Sequence, residues 1–88
     1  MFNLGMVVST PGAIDAMMQH HVGANELLQR HLKGDWGELD PEDKESNDQA
    51  VLGGWRILSS YIIAPGVTIW VITEADRSAT TFLLPEDY

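Results

Sequence analysis

Two apolar segments, residues 55–63 and 67–74, dominate the C-terminal half of this chain. Both are rich in β-branched and aromatic side chains, and Ala64-Pro65-Gly66 between them is typical of a short hairpin connection. Large apolar side chains occupy both alternating sets of positions, so the hairpin presents apolar residues on both faces of a sheet. Helices can cover one face. The other face needs the N-terminal segment, a second copy or a partner.

A third strand is predicted to complete an antiparallel meander. Ala75-Asp76-Arg77-Ser78 has the composition of a turn, and residues 79–84 form the next strand-like segment, which Pro85 ends. Near the N-terminus, Met6-Val7-Val8 predicts one brief strand. Most of the predicted sheet therefore lies in the last third of the chain.

Helical spacing of apolar residues predicts three helices between these strands, over about residues 11–21, 24–33 and 41–52. Thr10 and Asp40 are predicted N-caps, each followed by a proline at the first helical position. The element order is thus a short N-terminal strand, three helices and a three-stranded antiparallel meander packed against the helices. This order predicts an α+β fold with residues 1–88 as a single domain.

The size and the residue types of the chain limit its chemistry. It has 88 residues and no cysteine, which excludes disulfides, thiolate catalysis and cysteine-ligated metals. We find no nucleophile–base pair, phosphate loop or metal-ligand motif, and therefore expect no cofactor and no metal. The N-terminus lacks the features of a signal peptide, which leads us to expect a cytoplasmic protein.

The charge is strongly acidic and unevenly placed. Thirteen acidic against five basic residues give a formal net charge of −8, and the segment 35–48 alone sums to −6. Nucleic acids and anionic membranes are bound through Lys/Arg surfaces. We therefore expect no direct nucleic-acid binding and no membrane binding.

Within that acidic segment, four carboxylates follow a helical spacing. They predict one outward stripe that either solubilises the domain or binds a basic partner, as nucleic-acid mimics do. The stripe consists of Glu38, Glu42, Glu45 and Asp48.

A group of polar residues around the second and third helices is a candidate site. His31 lies on an apolar helical stripe, and a nearby carboxylate is what fixes an imidazole for general-base work or metal ligation. The alternative is structural, with His31 bonded to a loop carbonyl and the third-helix side chains bonded to the loop at residues 34–37. The group comprises His31, Asp35, Trp36, Asp43 and Asn47.

The turn after the hairpin is a second candidate. Arg77 offers a two-pronged donor to a carboxylate or phosphate, with Glu74 and Asp76 beside it. The alternative is that Asp76 caps the turn with its side chain and Arg77 pairs with Glu74 or Asp76.

Two blocks of the sequence resemble a family of small proteins carried by bacterial plasmids and integrative elements. One block is Arg30-His31-Leu32-Lys33-Gly34-Asp35-Trp36-Gly37-Glu38-Leu39, followed by Asp43 and Asn47. The other runs from Trp70 to Ser78 and continues with Thr80 or Thr81 to the end, Leu83-Leu84-Pro85-Glu86-Asp87-Tyr88. The resemblance implies a mobile-element setting and supplies no activity.

Three functional hypotheses remain open. The leading one is a small acidic interaction protein from a mobile element, which occupies or inhibits a nucleic-acid-handling or defence protein. The rivals are a small enzyme or ligand-binding domain built on His31, Asp43, Asn47 and Arg77, and an accessory subunit whose open sheet face binds a specific partner. We also expect homodimerisation through that open face.

Overall fold

The computed structural model describes residues 2–88 and contains the three predicted helices. They are α1 (Pro11–Gln19), α2 (Ala24–Leu32) and α3 (Pro41–Gly53). Thr10 caps α1 as predicted, with its side-chain oxygen accepting a hydrogen bond from the third amide of the helix. Asp40 occupies the predicted N-cap position of α3, but its side chain makes no capping hydrogen bond. No helix among these residues is long and apolar enough to span a membrane.

The strands also lie close to their predicted positions. They are β1 (Met6–Ser9), β2 (Ile57–Ala64), β3 (Val67–Thr73) and β4 (Ala79–Leu83), and a single 3-10 turn follows at Pro85–Asp87. The α+β class and the order of the elements are confirmed.

The sheet differs from the prediction in one respect, because it has four strands and is mixed. β2, β3 and β4 form the antiparallel meander, but β1 joins β4 in parallel, giving the order β1-β4-β3-β2. The predicted three-stranded antiparallel meander is therefore present, but the sheet also includes the short N-terminal strand, whose parallel pairing was not predicted. In a meander β4 would have only one neighbour, and β1 supplies the ladder that its second edge requires.

The helices cover one face of this sheet. Val71 pairs with Phe82 and Tyr61 with Ile69, and these four side chains point to the same side. They form the core with Ala13 and Met17 of α1 and Leu27 of α2. The register thus assigns Phe82 to the helix face and its neighbour Leu83 to the opposite face.

That opposite face is apolar, as predicted, and only partly covered. The C-terminal Tyr88 packs edge-on against Trp70, with ring centroids 5.9 Å apart. Ile72 and Leu83 are buried, whereas Ile62 remains 57% exposed. The chain's own C-terminus therefore supplies part of the cover for this face.

The outer edge of β2 is closed by two devices. The Ser60 amide donates to the Trp36 carbonyl (3.0 Å), and the Glu38 amide donates to the Ser60 carbonyl (2.6 Å). At Leu58, two residues before Ser60 in β2, the backbone amide donates to the Asn47 side chain (3.2 Å) and the carbonyl accepts from it (2.6 Å). The outward-facing backbone groups at both positions therefore have partners.

Gly37 lets the loop approach β2 this closely. Its φ is +77°, and a Cβ there would overlap the Ser60 carbonyl oxygen and lie 2.7 Å from Cδ1 of Tyr61. Gly66, in the hairpin, has a similar φ of +75°, but apart from its two chain neighbours no described residue has a heavy atom within 4 Å of its Cβ position. The two glycines share a conformation and differ in their surroundings.

We expect Gly37→Ala to destabilise the fold more than Gly66→Ala does. Both substitutions carry the left-handed backbone cost of roughly 1–2 kcal/mol. Only Gly37→Ala also pushes the loop away from β2, which adds roughly 1–3 kcal/mol. Urea unfolding of the two variants measures the difference, and equal losses would contradict the close approach.

Candidate functional site

His31 lies at the centre of the candidate site and is completely buried beneath the sheet. α2 presents it next to Leu27, on the helical stripe that the sequence indicates. Its ring bonds two hydroxyl groups of the helix-covered face, Nδ1 to Ser59 and Nε2 to Thr73 at 2.9 Å. The expected loop carbonyl is thus replaced by two strand hydroxyls.

These bonds belong to a longer chain whose direction can be deduced. Thr80 Oγ1 donates its single proton to the Leu4 carbonyl at 2.7 Å. It must then accept from Thr73 Oγ1, also at 2.7 Å, so Thr73 in turn accepts from His31 Nε2–H. Nδ1 of the neutral ring is left to accept from Ser59. The neighbours therefore select the Nε2–H tautomer.

The ring of His31 is further enclosed by aromatic side chains. Phe2 and Trp36 approach edge-on, with centroids 5.3 and 5.8 Å away. This burial lowers the pKa of His31 to about 4, because the charged form would lose its hydration. The imidazole is neutral at pH 7 and is fully hydrogen-bonded.

Asp35 is occupied by the loop that follows α2. Its carboxylate forms an ion pair with Arg30 at 2.6 Å and accepts from the Gly37 amide at 3.2 Å. The hydrogen bond from Arg30 is the main reason why the pKa of Asp35 lies below its usual range. Arg30 lies 4.4 Å above the Tyr61 ring, whose hydroxyl donates to the Asp35 carbonyl. Asp35 therefore makes no contact with the His31 ring and instead holds the loop folded.

Trp36 and Asn47 likewise have structural contacts. Trp36 is buried, and its indole N–H donates to Asp48 of α3 at 2.9 Å. The Asn47 side chain bonds to the backbone of Leu58 in β2, and not to the loop at residues 34–37 as predicted. Asp43, one turn earlier on α3, is exposed. The first predicted group is therefore divided between the core, the β2 edge and the surface.

The second predicted group lies in the turn between β3 and β4, and its Arg77 side chain reaches α3. Asp76 accepts from the Ser78 amide at 2.9 Å, which confirms its expected role in the turn, and Glu74 is exposed. Arg77 does not pair with either acid among the described residues. Its guanidinium donates to the carbonyls of Ala50 (2.9 Å) and Trp55 (2.7 Å). A cation at the C-terminal end of α3 complements the helix dipole.

The residues of the acidic stripe are all on the surface. Glu42 and Glu45 lie on exposed positions of α3, and Glu38 is in the loop before the helix. Asp48 is exposed too but accepts the Trp36 bond. The carboxylates that the sequence placed on an outward surface are therefore available there, although Glu38 precedes the helix.

The described residues include no open site of the predicted composition. No group of three His, Asp or Glu among residues 2–88 could hold a metal ion, and every buried side-chain nitrogen or oxygen described has a partner. His31, Asn47 and Arg77 each bond to neighbours within the fold. A cavity of about 410 Å³ lies elsewhere, between β1 and α1, and its lining is mostly apolar. The polar group is arranged to hold structure together.

Three residues of this network were not predicted. Ser59, Thr73 and Thr80 are buried hydroxyls on the helix-covered face. Their signal was a polar residue at an inward position of an otherwise apolar strand, since an inward hydroxyl needs a buried partner. Thr73 belongs to the second sequence block and His31 to the first, so the two blocks meet at this ring.

The fold and the site define a small α+β protein with a structural, polar centre. Comparison of the chain with protein-family models, curated protein sequences and solved structures finds no match.

The tautomer deduced above can be observed directly. We expect long-range ¹H–¹⁵N spectra to show His31 protonated at Nε2 and unprotonated at Nδ1. Ser59→Ala should keep this tautomer, because Thr73 still accepts. Thr73→Val removes the acceptor and should shift the proton to Nδ1, facing Ser59. A wild-type ring protonated at Nδ1 would refute the direction of the chain.

Acid should weaken the fold through His31. The unfolded ring takes up a proton below its ordinary pKa of 6.5, whereas the folded ring stays neutral down to about 4. Stability therefore falls as the pH drops through this window, by about 3 kcal/mol in total. Denaturant unfolding as a function of pH measures the slope. His31→Gln should flatten this slope. A wild-type slope in His31→Gln would assign the effect to other groups.

Proposed function

We propose that the chain is a small acidic protein–protein interaction module that binds a basic surface of a partner protein through its acidic surface. We use this name for the exposed carboxylates in and before α3, which are Glu38, Asp40, Glu42, Asp43, Glu45 and Asp48. The observation that carries the proposal is that none of these six carboxylates forms an ion pair within the described residues.

The basic residues of the chain do not compensate this surface. Arg30 is paired with Asp35, Arg56 donates to the Tyr88 hydroxyl, and Arg77 binds carbonyls at the end of α3. Three of the five bases are thereby committed. Lys44 is the one base within the acidic segment. The field around α3 stays negative and would attract a basic partner.

The rival enzyme or ligand-binding hypothesis has weaker support. It requires His31, Asp43, Asn47 and Arg77 to converge on an accessible pocket. His31 is inaccessible. Asn47 binds the Leu58 backbone near the start of β2, and Arg77 binds the Ala50 carbonyl in the last turn of α3. A general base must reach its substrate, which a fully buried and bonded imidazole does not.

We extend the proposal to the class of partner by way of the mobile-element setting that the sequence resemblance implies. In that setting, a basic partner would be a nucleic-acid-handling or defence protein, whose phosphate-binding surface the carboxylates occupy. Such occupation would inhibit the partner by competing with nucleic acid for the same surface.

A pull-down from bacterial lysate at low and high salt tests this proposal. Basic proteins captured by the wild type should be released at high salt, since the Debye length falls from about 10 Å at 0.1 M to about 3 Å at 1 M. The variant Glu38→Lys/Glu45→Lys should capture them at least about tenfold less well, a loss of roughly 1.4 kcal/mol.

A matched variant separates position from total charge. Asp15→Lys/Glu86→Lys changes the net charge equally at exposed residues outside the acidic surface. It should retain binding. Salt-insensitive capture, or equal loss in both double variants, would count against the acidic surface as the binding site.

A further inference from the structure

The two edges of the sheet are treated differently, since β2 is closed and β1 is open. The amides of Met6 and Thr10 donate to β4-side carbonyls, those of Ser78 (3.0 Å) and Phe82 (2.9 Å). Backbone groups alternate in direction along a strand, so the N–H and C=O of Val7 and Ser9 face away from the sheet. No strand of the described chain pairs with that side.

This open edge lacks the usual protection against pairing. Natural edge strands carry lysine, proline or a bulge. β1 is short, at four residues, but it carries no lysine, proline or bulge, and its Met6, Val7 and Val8 side chains are 70%, 44% and 40% exposed. Ile14 and Met18 of the adjacent α1 are 43% and 71% exposed. A strand edge with free backbone groups thus lies within an exposed apolar surface.

The apolar cavity lies beside the same edge. It is lined by Val7, Val8, Ser9, Ile14, Met17 and Met18 among others, and none of its lining residues is charged. The first fourteen residues of the sequence contain no charged side chain at all. This end of the molecule therefore combines backbone pairing capacity with an uncharged groove.

We propose that β1 pairs antiparallel with β1 of a second copy, about a two-fold axis at Val8. Val7 then exchanges both backbone hydrogen bonds with Ser9 of the second copy, and Ser9 does so with the second Val7. The two Val8 residues face each other as the close, non-hydrogen-bonded pair. Four hydrogen bonds join the two sheets into one of eight strands.

The uncharged, apolar β1 edge is complementary to itself, which favours a second copy as the occupant. Two chains of charge −8 repel one another, and this repulsion is weakest where each chain is uncharged. α3, with the acidic surface, contacts β2 at the far edge of the sheet. In the dimer the two α3 helices are separated by the eight strands, roughly 30 Å at about 4.8 Å per strand, well beyond a Debye length of about 8 Å. The pairing also leaves both acidic surfaces free.

Light scattering of the purified chain over a wide concentration range tests the dimer. We expect the mass to rise from one copy to two. Val8→Lys places two ammonium groups opposite each other and should raise the dissociation constant by about tenfold or more. The control is Ile62→Lys, an equally drastic change at an exposed position on the same sheet face but at the far edge. It should leave the dimer intact, and thermal unfolding confirms that each variant is folded.

A second experiment does not depend on tolerance of lysine. The chain has no cysteine, so Val8→Cys introduces a single thiol. A close antiparallel pair has Cα atoms about 4.5 Å apart, within the disulfide range. Mild oxidation should cross-link Val8→Cys rapidly into dimers and Ile62→Cys slowly. A mass of one copy at all concentrations, a dimer disrupted by Ile62→Lys but not by Val8→Lys, or equal cross-linking of the two cysteine variants would overturn the proposal.

Discussion

The series of hydrogen bonds from Ser59 through His31, Thr73 and Thr80 to the Leu4 carbonyl connects one helix, three strands and the N-terminal segment. It joins α2 to three successive strands and fastens the N-terminal segment over them. Each member donates a hydrogen bond to the next, so each donor has one acceptor within the series. Buried polar groups without partners are costly, and a chain with only one satisfied arrangement discriminates against other registers of the strands. This series of hydrogen bonds therefore fixes how α2 sits on the sheet.

The elements were predictable because their signals are local. Thr10-Pro11 and the alternation in β2 and β3 depend on neighbouring residues, and helix and strand positions followed closely. The pairing of β1 with β4 joins residues more than seventy positions apart, and a four-residue strand contains no signal for its partner. The roles of His31, Asn47 and Arg77 were also missed in detail. Each bonds to a backbone or hydroxyl group that only the tertiary arrangement brings close.

Basic residues explain why the negative charge stays concentrated. Arg30 covers Tyr61 and holds Asp35, and Arg77 reaches from the β3–β4 turn to the last carbonyls of α3. These contacts stabilise loops on the side of the molecule where the acids lie, yet they leave the outward carboxylates of α3 uncompensated. The Arg77 guanidinium donates to the carbonyls of Ala50 and Trp55 and forms no ion pair with an acidic side chain of the described residues. Because Arg30 and Arg77 form contacts within the fold, they leave the carboxylates of the acidic surface without a cationic partner.

The same arrangement gives the two edges of the sheet, β1 and β2, different properties. At one end, α3 both closes the β2 edge through Asn47 and presents the carboxylates, so edge protection and negative charge come from one helix. At the other end, β1 has neither a covering element nor a charge. Sheets extend at an edge that is open and uncharged and stop at one that is covered and charged. Pairing is consequently favoured at the β1 edge, and a two-fold pair of β1 strands occupies that edge in both copies.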